Sequence, residues 1–143
     1  MGLRATSRSS GSTRVRIVGA AVTIILLVPL ITARLLSPDP TGLGTHQQLG
    51  LPPCSMRFLL GIRCPACGMT TSWSHFMRGD ILTSLRVSAG GAGLAAITIV
   101  VAGMGLKSVW TGRWPSVGAR KVLSVAVVTV GAVTLTDWLV RTF

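Results

Sequence analysis

Three cysteines carry the recognisable chemistry of this sequence: Cys64 and Cys67, packed into Cys64-Pro65-Ala66-Cys67, and Cys54, ten residues upstream of Cys64. Two thiols two residues apart suit either of two chemistries. They can exchange electrons as a dithiol–disulfide couple, or form one knuckle of a zinc site. Proline favours the first position of a helix, so Pro65 predicts Cys64 at the N-cap, near the positive end of the helix dipole where thiol pKa values fall. In that reading Cys64 is the reactive thiol and Cys67, one turn further on, resolves it. A zinc site would instead need Cys54 and a fourth ligand, for which His75 is the candidate. His75 lies eight residues beyond Cys67, ~12 Å along a continuous helix. Zn–S and Zn–N bonds are only about 2.0–2.3 Å long, so His75 can join the cysteines only if Gly68 breaks that helix. Other chemistry is poorly supplied, because the chain holds three Asp, no Glu and two His. Neither a carboxylate pair nor a Ser-His-Asp set can be assembled from these, which removes the usual acids and bases of hydrolysis and phosphoryl transfer.

The elements that must position these thiols are apolar. Hydrophobic residues make up 49% of the 143 and charged residues only 12%, which predicts an all-α integral membrane protein rather than a soluble domain. Residues 17–33 form an uncharged run with Pro29 inside it, about the minimum that crosses a hydrocarbon core of ~30 Å. A cleaved signal peptide is the competing reading of that run, opposed by the poor small-residue pattern at Ile31 and Ala33. Residues 87–106 and 122–140 give two further spans. Residues 1–16, with Arg4, Arg8, Arg14 and Arg16 among Ser, Thr and Gly, read as a disordered basic tail. Residues 34–86 form a long loop carrying all three cysteines, and residues 107–121 a short basic one.

Small residues in the second run, Ser88, Ala92 and Ala96 or Gly91 and Ala95, would let another helix approach closely, from this chain or from a partner membrane protein. Asp137 precedes Arg141 by four residues near the end of the third run, a spacing suited to an interfacial ion pair; a proton relay is the alternative. Trp110, Trp114 and Trp138 flank the runs as aromatic belts do. Within the loop, Pro38 to Pro53 is irregular, and Met56, Phe58, Leu59, Leu60 and Ile62 are too short a run to span. Met69, Trp73, Phe76 and Met77 share one helical face, with Thr71, Ser74, His75 and Arg78 on the other. This pattern predicts a short interfacial helix ending near Gly79, its apolar face buried and its polar face wet.

The net charge of +11 would suggest nucleic acid in a soluble protein. Here the cations flank apolar runs, which suits topology and anionic headgroups and gives no expectation of nucleic-acid binding. Arg4 to Arg16 together with Lys107, Arg113, Arg120 and Lys121 predict a multi-pass protein of the cell (cytoplasmic) membrane with its N-terminus inside and the cysteine loop outside. Disulfides persist on that outer side.

The stretch from Pro53-Cys54 through Gly61-Ile62-Arg63-Cys64-Pro65-Ala66-Cys67-Gly68-Met69-Thr70 resembles the domain of unknown function 2752 family. These are small bacterial membrane proteins with an upstream Cys, a short apolar run ending in Gly, and then Cys-Pro-x-Cys-Gly-x-Thr. The resemblance covers about residues 52–106 and makes Cys54, Cys64, Pro65, Cys67, Gly68 and Thr70 the motif. It implies membrane location without an established activity. The chain departs at Thr71, where the family often has Arg. A second similarity is to vitamin K epoxide reductase, whose C-x-x-C is closely followed by Thr-Thr. It implies quinone-coupled redox chemistry, but no second Cys pair is present and three runs cannot build its four-helix enclosure. The resulting expectation is a small membrane adaptor or assembly component whose Cys motif stabilises a membrane-associated loop. The alternatives are an extracytoplasmic thiol-disulfide oxidoreductase using Cys64 and Cys67, and a zinc-binding membrane protein.

Overall fold

A computed structural model describes residues 6–62 and 64–142. Among them the chain is all-helical: α1 (Thr6–Leu35), a 3-10 turn (Thr45–Leu49), α2 (Ser55–Leu60), α3 (Met69–Met77), α4 (Ile81–Val87), α5 (Ala89–Thr111) and α6 (Val117–Thr142). Three stretches are long and apolar enough to cross a membrane: Gly11–Leu35, Ala89–Thr111 and Val117–Val140. With ~1.5 Å of rise per residue each exceeds the ~30 Å hydrocarbon thickness.

α5 is the central element. It packs on α1, α3, α4 and α6, whereas among the described residues α1 and α6 make no close backbone approach to each other. Lipid is as apolar as Leu, so helices in a membrane associate through close backbone approach and hydrogen bonds. Both operate at the α1–α5 crossing. A Cβ on Gly105 would lie 2.5 Å from Thr23 Oγ1 and 2.9 Å from the Gly19 carbonyl, and one on Gly19 would lie 2.7 Å from the Gly105 carbonyl. Thr23 Oγ1 donates to the Gly19 carbonyl at 2.8 Å and reaches the Ala102 carbonyl across the crossing at 3.2 Å. On the far side of α5, Gly90 and Gly93 leave room for Thr134 and Val130 of α6. The small-residue face of α5 is thus taken up by the chain's own helices, while Ala96 is exposed. Both pairings are antiparallel, which gathers the start of α1, the end of α5 and the start of α6 at one end of the bundle and the cysteine loop at the other.

The basic segment read as a disordered tail is helical from Thr6 onward. Ser12 and Arg16 lie against Gly112, where a Cβ would be 2.6 Å from Ser12 Oγ, and Val15 is buried. The end of α5 therefore supplies the packing that composition alone did not show. Residues 1–5, with Arg4, lie outside the described residues, as do Arg63 and the side chains of Arg8, Arg57 and Arg141. The expected Asp137–Arg141 pair falls among these.

α3 buries part of the face expected to be wet, although Arg78 of that face is exposed. Its polar residues Thr71, Ser72 and Ser74 are buried, while Met69, Trp73, Phe76 and Met77 are only partly so. Ser72 Oγ sits 3.0 Å from the carbonyls of Ser84 and Ser88 and 2.9 Å from Ser84 Oγ, and Ser84 Oγ donates back to the Ser72 carbonyl at 2.8 Å. Ser74 Oγ and Arg78 both donate to the Leu36 carbonyl at 2.9 Å, and Arg34 donates to the Met77 carbonyl at 2.6 Å. The carbonyls of Leu36 and Met77, at helix ends, thereby gain side-chain partners, while those of Ser84 and Ser88 accept the Ser72 hydroxyl in addition to the backbone N–H of Ser88 and Ala92. Small hydroxyl side chains also admit close backbones, so the polar stripe faces inward. Among the described residues α2 makes no close backbone approach to another helix, and it exposes Phe58, Leu59 and Leu60.

The α1–α5 crossing makes a direct prediction. Gly105→Ala should lower the thermal midpoint of the detergent-solubilised protein, with overpacking costing about 1–3 kcal/mol. Gly103→Ala, where an added Cβ meets nothing within 4 Å, should leave it unchanged. Equal midpoints for the two variants would refute the crossing at Gly105.

Candidate functional site

The three cysteines come from two turns brought together by short helices. Cys54 stands at the N-cap of α2, where its carbonyl accepts from Phe58 N at 3.0 Å. α2 ends at Gly61, with φ 69°, and the chain turns back to Cys64. Cys64-Pro65-Ala66-Cys67 is a β-turn closed by the bond from Cys67 N to the Cys64 carbonyl at 3.0 Å, with Pro65 at the position whose φ a proline ring pre-sets. Gly68 then adopts φ 87° and N-caps α3. A Cβ there would lie 3.1 Å from the Gly42 carbonyl and 3.3 Å from Val87 Cγ1, so both conformation and space call for glycine.

This geometry corrects the expected thiol chemistry. The helix begins at Met69 rather than at Pro65, so Cys64 does not sit at its N-cap and receives no stabilisation from its dipole. Burial pushes the Cys64 thiol up to about 12, helped by hydrogen bonds with Cys67 and Cys54 and by the nearness of Cys67. These surroundings favour the thiol form of Cys64 over the thiolate. The Cys64 and Cys67 sulfurs are 3.0 Å apart, and the sulfurs of Cys54, Cys64 and Cys67 all lie within 4.8 Å of one another. Three sulfurs bound to one zinc at ~2.3 Å would stand ~3.8 Å apart in a tetrahedral site. Shifts of about an ångström separate the present arrangement from that one.

His75 is not brought to the cysteines. Its Nδ1 pairs with Asp80 Oδ2 at 3.2 Å, and it lines a separate cavity with Asp39 and Arg86. Hydrogen bonds from Thr83, and then from His75, hold the Asp80 carboxyl below the usual carboxylate range, and Asp80 caps α4 by accepting from Thr83 N at 3.2 Å. The other histidine, His46, opens onto the cysteines instead. It shares with Cys54, Cys64, Cys67 and Thr70 a chamber of about 390 Å³. Thr45, one residue earlier, fixes this placement by its 2.7 Å hydroxyl bond to Thr71 and by accepting from Asp39 N at 3.0 Å. Sequence spacing offered no route to His46, eighteen residues before Cys64 in an irregular loop; the one local signal was the run of glycines around it. Thr71, the departure from the resembled motif, is the residue that pins the turn carrying His46. Asp137 also reaches this end of the molecule, where it lines a cavity of about 20 Å³ with Cys64, Pro65 and Cys67.

No curated protein and no solved structure matches this chain. Residues 54–102, from the first cysteine through most of α5, match the family described as Protein of unknown function (DUF2752).

Proposed function

We propose that this multi-pass membrane protein is a non-enzymatic assembly component whose loop is clasped by a soft metal ion, zinc in the first instance, held by the thiolates of Cys54, Cys64 and Cys67. One observation carries the reading: three sulfurs from two separate turns converge to within 4.8 Å. Thiolate ligands select zinc and other soft ions over hard ones. A clasp suits this loop, because among the described residues α2 makes no close backbone approach to another helix, and binding energy at a metal is folding energy for the segment that supplies the ligands. His46 is positioned to take the fourth place after a side-chain rotation within the chamber. The basic residues at the opposite end support an extracytoplasmic loop. Reporter fusions should place Gly112 in the cytoplasm and Gly44 outside; the reverse would overturn the orientation.

The 3.0 Å approach of Cys64 and Cys67 favours a second reading as a thiol-disulfide couple, in which exchange with a partner disulfide joins the two sulfurs while that disulfide takes up the two electrons and two protons and leaves as two thiols. The raised Cys64 thiol argues against it as an attacking group, since the thiolate is the nucleophile. Cys54 separates the readings. Purified reduced protein should retain close to one zinc per chain, and Cys54→Ser should lose it, because a structural site needs each ligand. In the redox reading Cys54→Ser would leave the Cys64–Cys67 couple intact, at a potential well above about −300 mV.

Two further outcomes are expected. His46→Ala should weaken zinc by roughly tenfold or more, the lower bound even for an outer-sphere partner, whereas His75→Ala should not change it. Zinc uptake must also expel protons, that of Cys64 among them, so apparent affinity should rise from about pH 6 to about pH 8. Metal-free protein with three alkylatable thiols and an unchanged melting curve on zinc addition would refute the clasp.

A further inference from the structure

All three side-chain acids of this chain, Asp39, Asp80 and Asp137, lie at the cysteine end of the bundle. The opposite end collects Arg14, Arg16, Lys107, Arg113, Arg120 and Lys121, separated from those acids by the length of α5, ~35 Å at 1.5 Å per residue. The chain therefore contains no acidic side chain able to neutralise this end. Its counter-charge must come from another molecule.

The cations do not simply fringe a smooth surface. Lys107 and Arg113 open onto a cleft of about 560 Å³ where α5 turns into α6. Met104, Ser108, Trp114 and Pro115 also line a second cleft of about 200 Å³, so the two clefts adjoin across these side chains. This inner part runs between α1, α5 and α6, floored by Val18, Val22 and Leu123, with Arg120 at its wall. It exists because α1 and α6 each pack on α5 and, among the described residues, make no close backbone approach to each other. The mouth is thus cationic and hydroxyl-lined, and the interior apolar. Ser116, which precedes α6 and accepts from Ala119 N at 3.2 Å, and Ala119 of the first turn of α6 line that mouth, adding the positive end of the helix dipole. Trp110 and Trp114 are exposed at the same level, where aromatic rings mark a membrane interface.

We infer that this cleft is a binding site for one anionic phospholipid, its phosphate held among Lys107, Arg113 and Arg120 and an acyl chain lying along Val22 and Leu123. Each half of the cleft matches one half of such a molecule. A free phosphate would leave the apolar floor unfilled, and a zwitterionic lipid would leave the cations uncompensated. The inference is independent of the metal clasp, which lies at the other end of the bundle.

Native mass spectrometry on the full-length protein, titrated with phosphatidylglycerol or phosphatidylcholine of matched chains, tests it. One phosphatidylglycerol should be retained in preference to phosphatidylcholine, and a triple Lys107→Gln, Arg113→Gln, Arg120→Gln variant should weaken retention on the order of a hundredfold. Leu123→Trp fills the floor while keeping every cation, and should also release the lipid; its melting curve checks the fold. Arg86→Gln, at the cysteine end, should retain lipid as the unmodified protein does. Equal retention of the two lipids, an unaffected triple variant, or displacement by glycerol phosphate at equal concentration would overturn the proposal.

Discussion

Ser72 Oγ lies where α3, α4 and α5 meet, within 3.0 Å of the carbonyls of both Ser84 and Ser88. A larger side chain there would clash with Gly91, whose own Cβ would stand 2.9 Å from this oxygen, and an apolar one would remove the hydroxyl that links α3 to the carbonyls of Ser84 and Ser88. Ser88 also caps α5 by accepting from Gly91 N at 3.1 Å, and Trp73 Nε1 reaches the Gly91 carbonyl at 2.9 Å. Leaving one such buried polar group without a partner costs about 1–3 kcal/mol, so these bonds form or fail together. The orientation of α3 on the spans depends on them. With α3 set, Gly68 at its start aims the Cys64–Cys67 turn, and Thr71 holds the 3-10 turn that presents His46.

The two ends of the molecule divide the physical work. At the cysteine end, short helices are tied down by hydroxyls and by Arg34 and Arg78 donating to helix-end carbonyls. Those guanidinium groups serve packing as well as charge. At the basic end, charge accumulates without internal compensation, and the bundle is open between α1 and α6. One end is organised around side chains that could hold a cation and the other around side chains that need an anion.

The Cys64 environment also bears on the chemistries that the motif alone left open, and it supports the proposed metal clasp. A C-x-x-C becomes an efficient redox centre when its first thiol is exposed to a helix N-terminus. Here the turn precedes the helix by a glycine, and the neighbours of Cys64 are other thiols and partly buried surface. Such surroundings disfavour a lone thiolate, while a bound metal would reverse that balance by supplying positive charge directly to the sulfurs.

The three spans, the short loop helices and the end of α3 near Gly79 were legible in the sequence, because bilayer thickness, helix periodicity and the conformational demands of Gly and Pro act locally. The inward face of α3 was not, because hydrophobic patterning assumes that polar residues seek water, whereas Thr71, Ser72 and Ser74 find backbone and hydroxyl partners in neighbouring elements. Nor could spacing decide between His75 and His46, since an irregular loop has no period and its path is set by Thr45 meeting Thr71. The helical state of the segment before Ile17 likewise required its packing partner, the end of α5, to be visible. Composition and local geometry determined what elements exist and where they cross a membrane. Long-range contacts among small residues decided which faces they bury and which side chains meet.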